Sequence, residues 1–297
     1  MVCDPYWLGI DIGASQIKAV AVTADGRLLH SQRVATEDKL DGWKSAVPAV
    51  VREIETLLGK AGPIGVSSPG LAARDHASIA WMQGRLAATQ GYVWADALGR
   101  GQRVPVLNDA HAALLGEAWL GAARGARDVV LITLGTGVGG AILAGGKLLE
   151  GHLGRAGHLG HQSLDPDGVP DIVGTPGSLE DCIGEHTVSA RSHGRFQTTR
   201  QLIDAALAGD DASAEIWRKS VRALAAGLVS IINVIDPELI VIGGGISHAG
   251  DALFVPLRAE MDRLEWRPTG QPLPIVPALL GEWAGAYGAA KFAGEPL

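Results

Sequence analysis

Residues 7–22 read WLGIDIGASQIKAVAV, and residues 129–143 read VVLITLGTGVGGAIL. In each stretch an apolar run rich in Val and Ile meets a glycine turn and continues as a second apolar run, which predicts two strands joined by a tight turn. A further turn follows each pair, at residues 24–26 and 144–146, and leads into a third run. The repetition of this unit predicts two related α/β domains, with a cleft between their two glycine turns.

Helices are expected between the strands. Apolar residues recur at helical spacing in residues 43–58, 108–120 and 212–234. Residues 237–243 (PELIVIG) predict a buried strand that ends in glycines, and the Ala- and Gly-rich run 281–293 predicts a tightly packed helix. Alternating strands and helices favour mostly parallel sheets that are covered on both faces.

Composition limits the classes of partner. The chain has 297 residues, of which 47% are apolar and 19% charged, so it can bury a large core. Its net charge of −7 argues against a nucleic-acid or anionic membrane surface, although backbone amides can still bind a phosphorylated small molecule. Two cysteines, Cys3 and Cys182, are too few for a disulfide framework. The N-terminus shows no secretory signal and no run of about 18 apolar residues occurs, so we expect a cytoplasmic protein.

Two motifs suit phosphate chemistry. Asp11 stands at a strand end just before Gly13, where a carboxylate could hold a hydrated Mg²⁺ ion or simply cap a turn. Residues 134–140 (LGTGVGG) form a run of small residues whose amides can point at phosphate oxygens. This run lacks the Gly-Lys-Ser/Thr of a Walker A motif, and it could also be a tight turn with no function.

Two further groups suit chemistry on a hydroxylated ligand. The pair Asn108-Asp109 leaves an apolar strand and opens a helix, so Asp109 could accept a proton from a substrate hydroxyl, or the pair could be a helix N-cap. His158, His161 and Glu180 could bind a metal, hydrogen-bond a polyhydroxylated ligand, or be ordinary core and surface residues.

The order of these motifs is more specific than any one of them. Five motifs follow one another in an order that is found in one family: Asp11-Ile12-Gly13, Asn108-Asp109, residues 134–140, residues 156–161 (AGHLGH) and residues 236–245 (DPELIVIGGG). From about residue 8 to 293 the chain thus resembles the ROK family of bacterial sugar kinases and repressors. The resemblance implies the two-domain actin-like ATPase (ribonuclease H-like) α/β fold with an interdomain cleft. It implies an N-terminal domain of residues 1–119 plus about 283–297, and a C-terminal domain of residues 120–282.

The resemblance also implies binding sites for ATP and Mg²⁺. A first phosphate loop would consist of Asp11, Gly13, Ala14 and Ser15. A second phosphate loop would consist of Gly135, Thr136 and Gly137. Gly244 and Gly245 would contact the adenosine. Asp11 would hold Mg²⁺ through water.

On the sugar side, the resemblance makes Asp109 the general base. Residues 67–70 (SSPG) match the family's Gly-x-Pro-Gly sugar loop, with Ser67 in place of the first glycine. The implied sugar-binding residues are Ser68, Gly70, Asn108, Asp109, His158, His161 and Glu180.

Three departures from the family pattern stand out. Residues 14–16 read Ala-Ser-Gln where the family usually has Gly-Thr-Lys, and because Ala14 and Ser15 remain small we expect phosphate binding to survive. His158 replaces a Glu, as it does in bacterial N-acetylmannosamine kinases of the family. The family's zinc segment has cysteines at the positions of Asp171, Val173 and Ser178, so we expect no structural zinc here.

These observations predict an ATP- and Mg²⁺-dependent hexose kinase, glucokinase-like and acting on the 6-OH. The alternatives are an N-acetylmannosamine or other N-acetylhexosamine kinase, and a catalytically inactive sugar-binding protein. The repressor branch is disfavoured, because the first phosphate loop begins at residue 11 and the chain is acidic. We expect a small sugar and ATP as ligands, no nucleic acid or membrane partner, and the homodimer usual in the family; the sequence does not name the sugar.

Overall fold

The structure is a computed structural model that describes residues 4–37 and 41–295. The chain forms two compact units: unit 1 comprises Met1–Gly125, Leu148–Ala156 and Leu279–Leu297, and unit 2 comprises Ala126–Lys147 and Gly157–Ala278. Residues 148–156, which the sequence placed in the second domain, belong to unit 1. Cys3 lies outside the described residues.

Strands and helices alternate along the described residues. The strands are β1 (Trp7–Ile12), β2 (Gln16–Val22), β3 (Leu28–Ala35), β4 (Ile64–Ser68), β5 (Leu71–Ala72), β6 (Ile79–Trp81), β7 (Val106–Asn108), β8 (Val129–Leu134), β9 (Val138–Ala144), β10 (Lys147–Leu148), β11 (Leu239–Gly243) and β12 (Ile275–Pro277). The helices are α1 (Trp43–Leu58), α2 (Trp94–Ala97), α3 (Asp109–Leu120), α4 (Leu179–Ile183), α5 (Val188–Arg191), α6 (Thr199–Leu207), α7 (Asp211–Ile235), α8 (Asp251–Leu264) and α9 (Ala284–Gly294).

The two main sheets repeat one topology, with strand orders β3-β2-β1-β4-β7 and β10-β9-β8-β11-β12. This confirms the doubled strand–turn–strand unit. The expectation of mostly parallel sheets is wrong for unit 1, because its two hairpin pairings, β1–β2 and β2–β3, are antiparallel while β1–β4 and β4–β7 are parallel. Short glycine turns connect antiparallel strands, whereas parallel strands need a longer crossover.

The expected helices are confirmed. Helix α1 covers residues 43–58 as predicted, and α3, α7 and α9 differ from their predicted limits by no more than three residues. Each unit has its own apolar core: α7 and α8 pack on the sheet of unit 2, and α1 packs on the sheet of unit 1. None of the helices in the described part of the chain is both long and apolar enough to cross a membrane.

Helix α9 packs unusually close to its neighbours in unit 1, and glycines permit the approach. A Cβ on Gly288 would overlap the carbonyl oxygen of Ala112 in α3, and a Cβ on Gly9 in β1 would overlap the carbonyl oxygen of Ala286 in α9. Gly65 in β4 faces the carbonyl oxygen of Ala289 in the same way. These positions require glycine for reasons of space, and α9 is thereby held against both parallel strands that end in the polar residues described below.

A substitution at this contact should be costly. We predict that Gly288→Ala lowers the free energy of unfolding by about 2 kcal/mol or more, because backbone atoms of α3 must move to admit one methyl group. The matched control is Gly101→Ala, whose Cβ would meet nothing within 4 Å. Thermal and denaturant unfolding of both variants checks this, and equal stability of the two would show that the α3–α9 contact is looser than described.

Candidate active site

The register of three parallel strands in unit 1 brings polar residues together. Asp11 in β1 is paired with Ser67 in β4, and Ser68 in β4 is paired with Asn108 in β7. Because β1, β4 and β7 are neighbours that run in the same direction, these residues lie side by side at the carboxyl edge of the sheet. Asp109 follows directly as the first residue of α3.

Asp11 is the more enclosed of the two carboxylates, with 14% of its side chain exposed. Its Oδ1 accepts a hydrogen bond of 2.7 Å from the Ser67 hydroxyl, and its Oδ2 lies 3.7 Å from Nζ of Lys18. A Cβ on Gly285, in the first turn of α9, would lie 2.8 Å from Oδ1, so the positive end of that helix faces the carboxylate. Burial raises the pKa of Asp11 and outweighs the opposing effects of Lys18 and Ser67.

The turn after Asp11 is stabilised by hydrogen bonds from side chains that lie elsewhere in unit 1. The Thr36 hydroxyl donates to the carbonyl oxygen of Gly13 at 2.6 Å, and the Arg85 guanidinium donates to that of Ala14 at 2.6 Å. The backbone N–H groups of Ala14 and Ser15 have no acceptor among the described residues. These two amides are therefore available to an anion, as the first phosphate loop requires.

Asn108 acts as the N-cap of α3. Its Oδ1 accepts from the N–H groups of Ala110 and His111 at 3.0 and 3.2 Å, and its Nδ2 donates to the carbonyl oxygen of Gly70 at 2.9 Å. The cap interpretation of the Asn-Asp pair is thus correct for Asn108, whose side chain ties the helix to the 67–70 loop. Gly70 has φ = +102°, a conformation that favours glycine. Ser68 is fully buried, and its hydroxyl lies 3.3 Å from the carbonyl oxygen of Pro69.

Asp109 combines access to solvent with a crowded environment. The residue is exposed at its outer side, while its Oδ1 accepts the N–H of Ala110 at 2.9 Å. Desolvation raises the pKa of Asp109 despite the hydrogen bond from Ala110. The group is therefore a carboxylate that a ligand can reach and whose proton affinity is above that of an ordinary aspartate.

Two neighbours of these carboxylates were missed by sequence reasoning. Lys18 faces Asp11 across the β1–β2 hairpin, and the pairing of Asp11 with Lys18 would have followed from aligning the two strands about their turn. His111 is buried beside Asp109, and its Nε2 donates to the carbonyl oxygen of Ala156 at 3.0 Å. Burial lowers the pKa of His111, so the ring is neutral at physiological pH. Nothing in the sequence around His111 indicated this contact.

In unit 2 the glycine loop between β8 and β9 has its own support. The carboxylate of Glu180 accepts the N–H of Val138 at 2.8 Å through Oε2, and a Cβ on Gly137 would overlap that oxygen. The N–H of Glu185 donates to the carbonyl oxygen of Gly135 at 3.0 Å, and that of His186 donates to the carbonyl oxygen of Thr136 at 3.0 Å. Glu180, which the resemblance placed at the sugar, thus uses at least one oxygen to hold the loop.

The loop leaves donors free. Within the described residues the N–H groups of Thr136 and Gly137 have no acceptor, and Thr136 is exposed. A pocket of about 250 Å³ lies in the same unit, and Glu185 and Gly245 are among the residues that line it. Glu185 contacts both the loop, through Gly135, and α6, through the N–H of Thr199 at 3.2 Å. Gly244, with φ = +84°, packs against the backbone of Leu134.

His158 precedes a 3₁₀ turn, Leu159–His161, of which His161 is the last residue. Nδ1 of His161 lies 2.8 Å from Oδ2 of Asp171, whose side chain is fully buried. The hypothesis that His158, His161 and Glu180 form a metal site finds no support, since no three His, Cys, Asp or Glu side chains gather in a metal-binding arrangement among residues 4–37 and 41–295.

Comparison with known proteins gives the family. The ROK family profile matches residues 7–295. The glucokinase of Thermotoga maritima is 31% identical over 98% of both chains, and an N-acetylmannosamine kinase of Escherichia coli is 29% identical over 98% of this chain and 99% of its own. The crystal structure of a ROK family glucokinase from Streptomyces griseus in complex with glucose and AMPPNP has a TM-score of 0.78 at 29% identity, covering 97% and 98% of the two chains.

The molecule is therefore an α/β protein with the two-domain actin-like ATPase fold, as predicted. The chain belongs to the ROK family.

Proposed function

We propose that this protein transfers the γ-phosphoryl group of ATP to the 6-OH of a glucose-like hexose, with Asp109 as the general base. That the chain is an ATP-dependent sugar kinase rests on its family and on its glucokinase relatives. The 6-OH follows from the similarity to glucokinases, and the role of Asp109 is inferred from its position at the start of α3 and its environment.

The observation that carries the proposal is the environment of Asp109. A general base works best when its pKa approaches the working pH, and desolvation moves the pKa of Asp109 in that direction. The carboxylate remains reachable, and the neighbouring 67–70 loop is fixed by the hydrogen bond from Asn108 to Gly70. Asp109 would accept the proton of the attacking hydroxyl as its oxygen bonds to phosphorus.

The nucleotide side of the proposal rests on unoccupied backbone donors. Thr136 and Gly137 in unit 2, and Ala14 and Ser15 in unit 1, offer N–H groups without acceptors among the described residues. Such amides bind phosphate oxygens without formal charge. Glu185 lines the pocket that also contains Gly245, and its N–H donates to Gly135 in the loop that carries Thr136. An adenosine in this pocket would therefore extend its phosphates toward Thr136.

Asp11 suits a hydrated Mg²⁺ ion. Its oxygens are of the type that Mg²⁺ prefers, and its raised pKa shows that Lys18 and Ser67 do not fully compensate its buried charge. When bound, the ion would neutralise charge on the phosphates of ATP. The chain itself positions the reactants: the Asn108 cap fixes the start of α3, Ser67 orients Asp11, and the two loops hold phosphate oxygens.

An assay of ADP release over a panel of hexoses and N-acetylhexosamines tests the proposal. We predict hexose-dependent ADP release by the wild-type protein and a loss of kcat of about 10²- to 10⁴-fold in Asp109→Asn, because the amide has the shape of the carboxylate but cannot take the proton. Sugar affinity and melting temperature should change little. Asp96→Asn, an exposed aspartate of α2, is the matched control.

Retention of more than about a tenth of wild-type kcat in Asp109→Asn would exclude Asp109 as the base. Absence of ADP release with every sugar, despite measurable sugar binding, would instead support the inactive sugar-binding alternative.

His158 favours a second candidate, an N-acetylmannosamine kinase. It replaces the Glu of most sugar kinases in the family, and relatives with that activity match 98% of the chain. A carboxylate accepts hydrogen bonds from two hydroxyls, whereas a neutral imidazole offers one donor and one acceptor. His158 therefore bears on the choice of sugar.

Replacement of His158 by Glu should change the ratio of kcat/KM for glucose to that for N-acetylmannosamine, with little effect on the KM for ATP. A site that hydrogen-bonds particular groups rejects ligands that leave its polar atoms unpaired. If the natural sugar is an N-acetylhexosamine, the variant loses that activity; if it is glucose, the variant works at least as well on glucose. His152→Glu, at an exposed histidine, is the control. An unchanged ratio would show that His158 does not touch the sugar.

A further inference from the structure

The loop from His161 to Ser178 is organised around one buried carboxylate. Oδ2 of Asp171 accepts from Nδ1 of His161 at 2.8 Å, and its Oδ1 accepts from the N–H groups of Val173 and Thr175 at 3.0 and 2.8 Å. With 0% of its side chain exposed, Asp171 is the centre of this network.

The partners of Asp171 lie where the family's zinc segment has its ligands. That segment has a histidine at position 161 and cysteines at positions 171, 173 and 178. Here Asp171 itself occupies one of these positions, and its carboxylate accepts hydrogen bonds from two of the other three, the imidazole of His161 and the backbone of Val173.

Zinc does not fit this set of residues. Val173 has no side-chain donor, Ser178 caps α4 through the N–H of Asp181, and both oxygens of Asp171 are occupied by hydrogen bonds. Cys182 lies four residues beyond the last cysteine position, and burial raises the pKa of its thiol, opposite to what a metal-binding thiolate needs. In the described chain no cluster of three ligand side chains forms around it.

We infer that the carboxylate of Asp171 replaces the zinc ion as the organiser of this loop, and that it is a positioning residue that fixes His161 with its ring proton on Nδ1. The effect on the sugar rests on the proposed function, in which His161 contacts sugar hydroxyls.

The position of the proton follows from the acceptor. Burial alone would raise the pKa of Asp171, but the hydrogen bonds from His161, Thr175 and Val173 together lower it, so Asp171 is ionised at neutral pH and can only accept. Nδ1 of His161 must then be the donor, and in the neutral ring Nε2 carries a lone pair.

This arrangement reverses a hydrogen bond relative to a zinc site. A zinc ion on Nδ1 would leave the ring proton on Nε2, which would then donate to a sugar oxygen. With the proton of its ring on Nδ1 toward Asp171, His161 accepts from a sugar hydroxyl through Nε2. His161 is 27% exposed, and its ring has no other hydrogen-bond partner among the described residues, so Nε2 is available for this contact.

The first test is a ¹⁵N NMR measurement on histidine-labelled full-length wild-type protein, with the resonances of His161 identified by their loss in His161→Gln. We expect Nδ1 to show the shift of a protonated nitrogen and Nε2 that of an unprotonated one. Zinc analysis of the same protein should give well under one ion per chain. A proton on Nε2 alone, or one zinc per chain whose removal lowers the melting temperature, overturns the inference.

The second test is kinetic. Asp171→Asn should raise the KM for the sugar by roughly 10- to 100-fold, as the loss of groups that orient a ligand-binding histidine commonly does, and should leave the KM for ATP unchanged. Asp165→Asn, an exposed aspartate of the same loop whose Oδ1 accepts only a local turn hydrogen bond from Asp167, should change neither. Asp171→Asn with both KM values unaltered, or with both raised equally, contradicts a role through His161.

The two tests separate this inference from the proposed function. If no sugar is phosphorylated, the proposed function fails, while the NMR and zinc measurements still decide the role of Asp171. If Asp171→Asn does not fold, those wild-type measurements decide it alone.

Discussion

The register of β1, β4 and β7 is the constraint on which the rest of unit 1 depends. It aligns Asp11 with Ser67 and Ser68 with Asn108, so that the polar residues near the carboxyl ends of these three parallel strands lie at the same edge of the sheet. A shift of one residue in β4 would turn both serines away from their partners. The glycine contacts of α9 hold β1 and β4 in place, and they bring the N-terminal turn of this helix beside Asp11.

In unit 2 as well, hydrogen bonds from other segments of the chain hold the loops of the candidate site in place. Its glycine loop is held by side chains and amides from residues 180–186, which leaves the amides of Thr136 and Gly137 without internal acceptors. The loop that follows His161 depends on Asp171 in the same manner. In both places a carboxylate accepts backbone hydrogen bonds, one at Glu180 and two at Asp171, and these bonds stabilise segments that have no regular secondary structure.

Much of the fold could be predicted from the sequence, because hydrophobic periodicity and glycine turns are local signals. The doubled hairpin, α1 and the close-packed α9 are examples. The order of the motifs identified the family. Residues 148–156 belong to unit 1, and such a short return of the chain leaves no periodic pattern in the sequence.

The details of the candidate site could be predicted less well. The side chain of Asn108 caps α3 and holds Gly70, and its contact with a sugar stays a prediction. Glu180 supports the glycine loop between β8 and β9, and Lys18 and His111 were overlooked. The contacts of Asn108 with Gly70, of Glu180 with Val138 and of His111 with Ala156 join residues far apart in sequence, and no local pattern records them. The pairing of Lys18 with Asp11 would have followed from aligning β1 and β2 about their turn. Asp171 could have been noticed, since an acidic residue at a lost metal-ligand position is a direct candidate to bind the remaining histidine.

Identification of the product formed from glucose and ATP tests the central claim most directly. ³¹P NMR and mass spectrometry should show glucose 6-phosphate formed in equal amount to ADP, and no sugar phosphate when 6-deoxyglucose replaces glucose. Release of inorganic phosphate without a sugar phosphate, or phosphorylation of 6-deoxyglucose, would contradict the account.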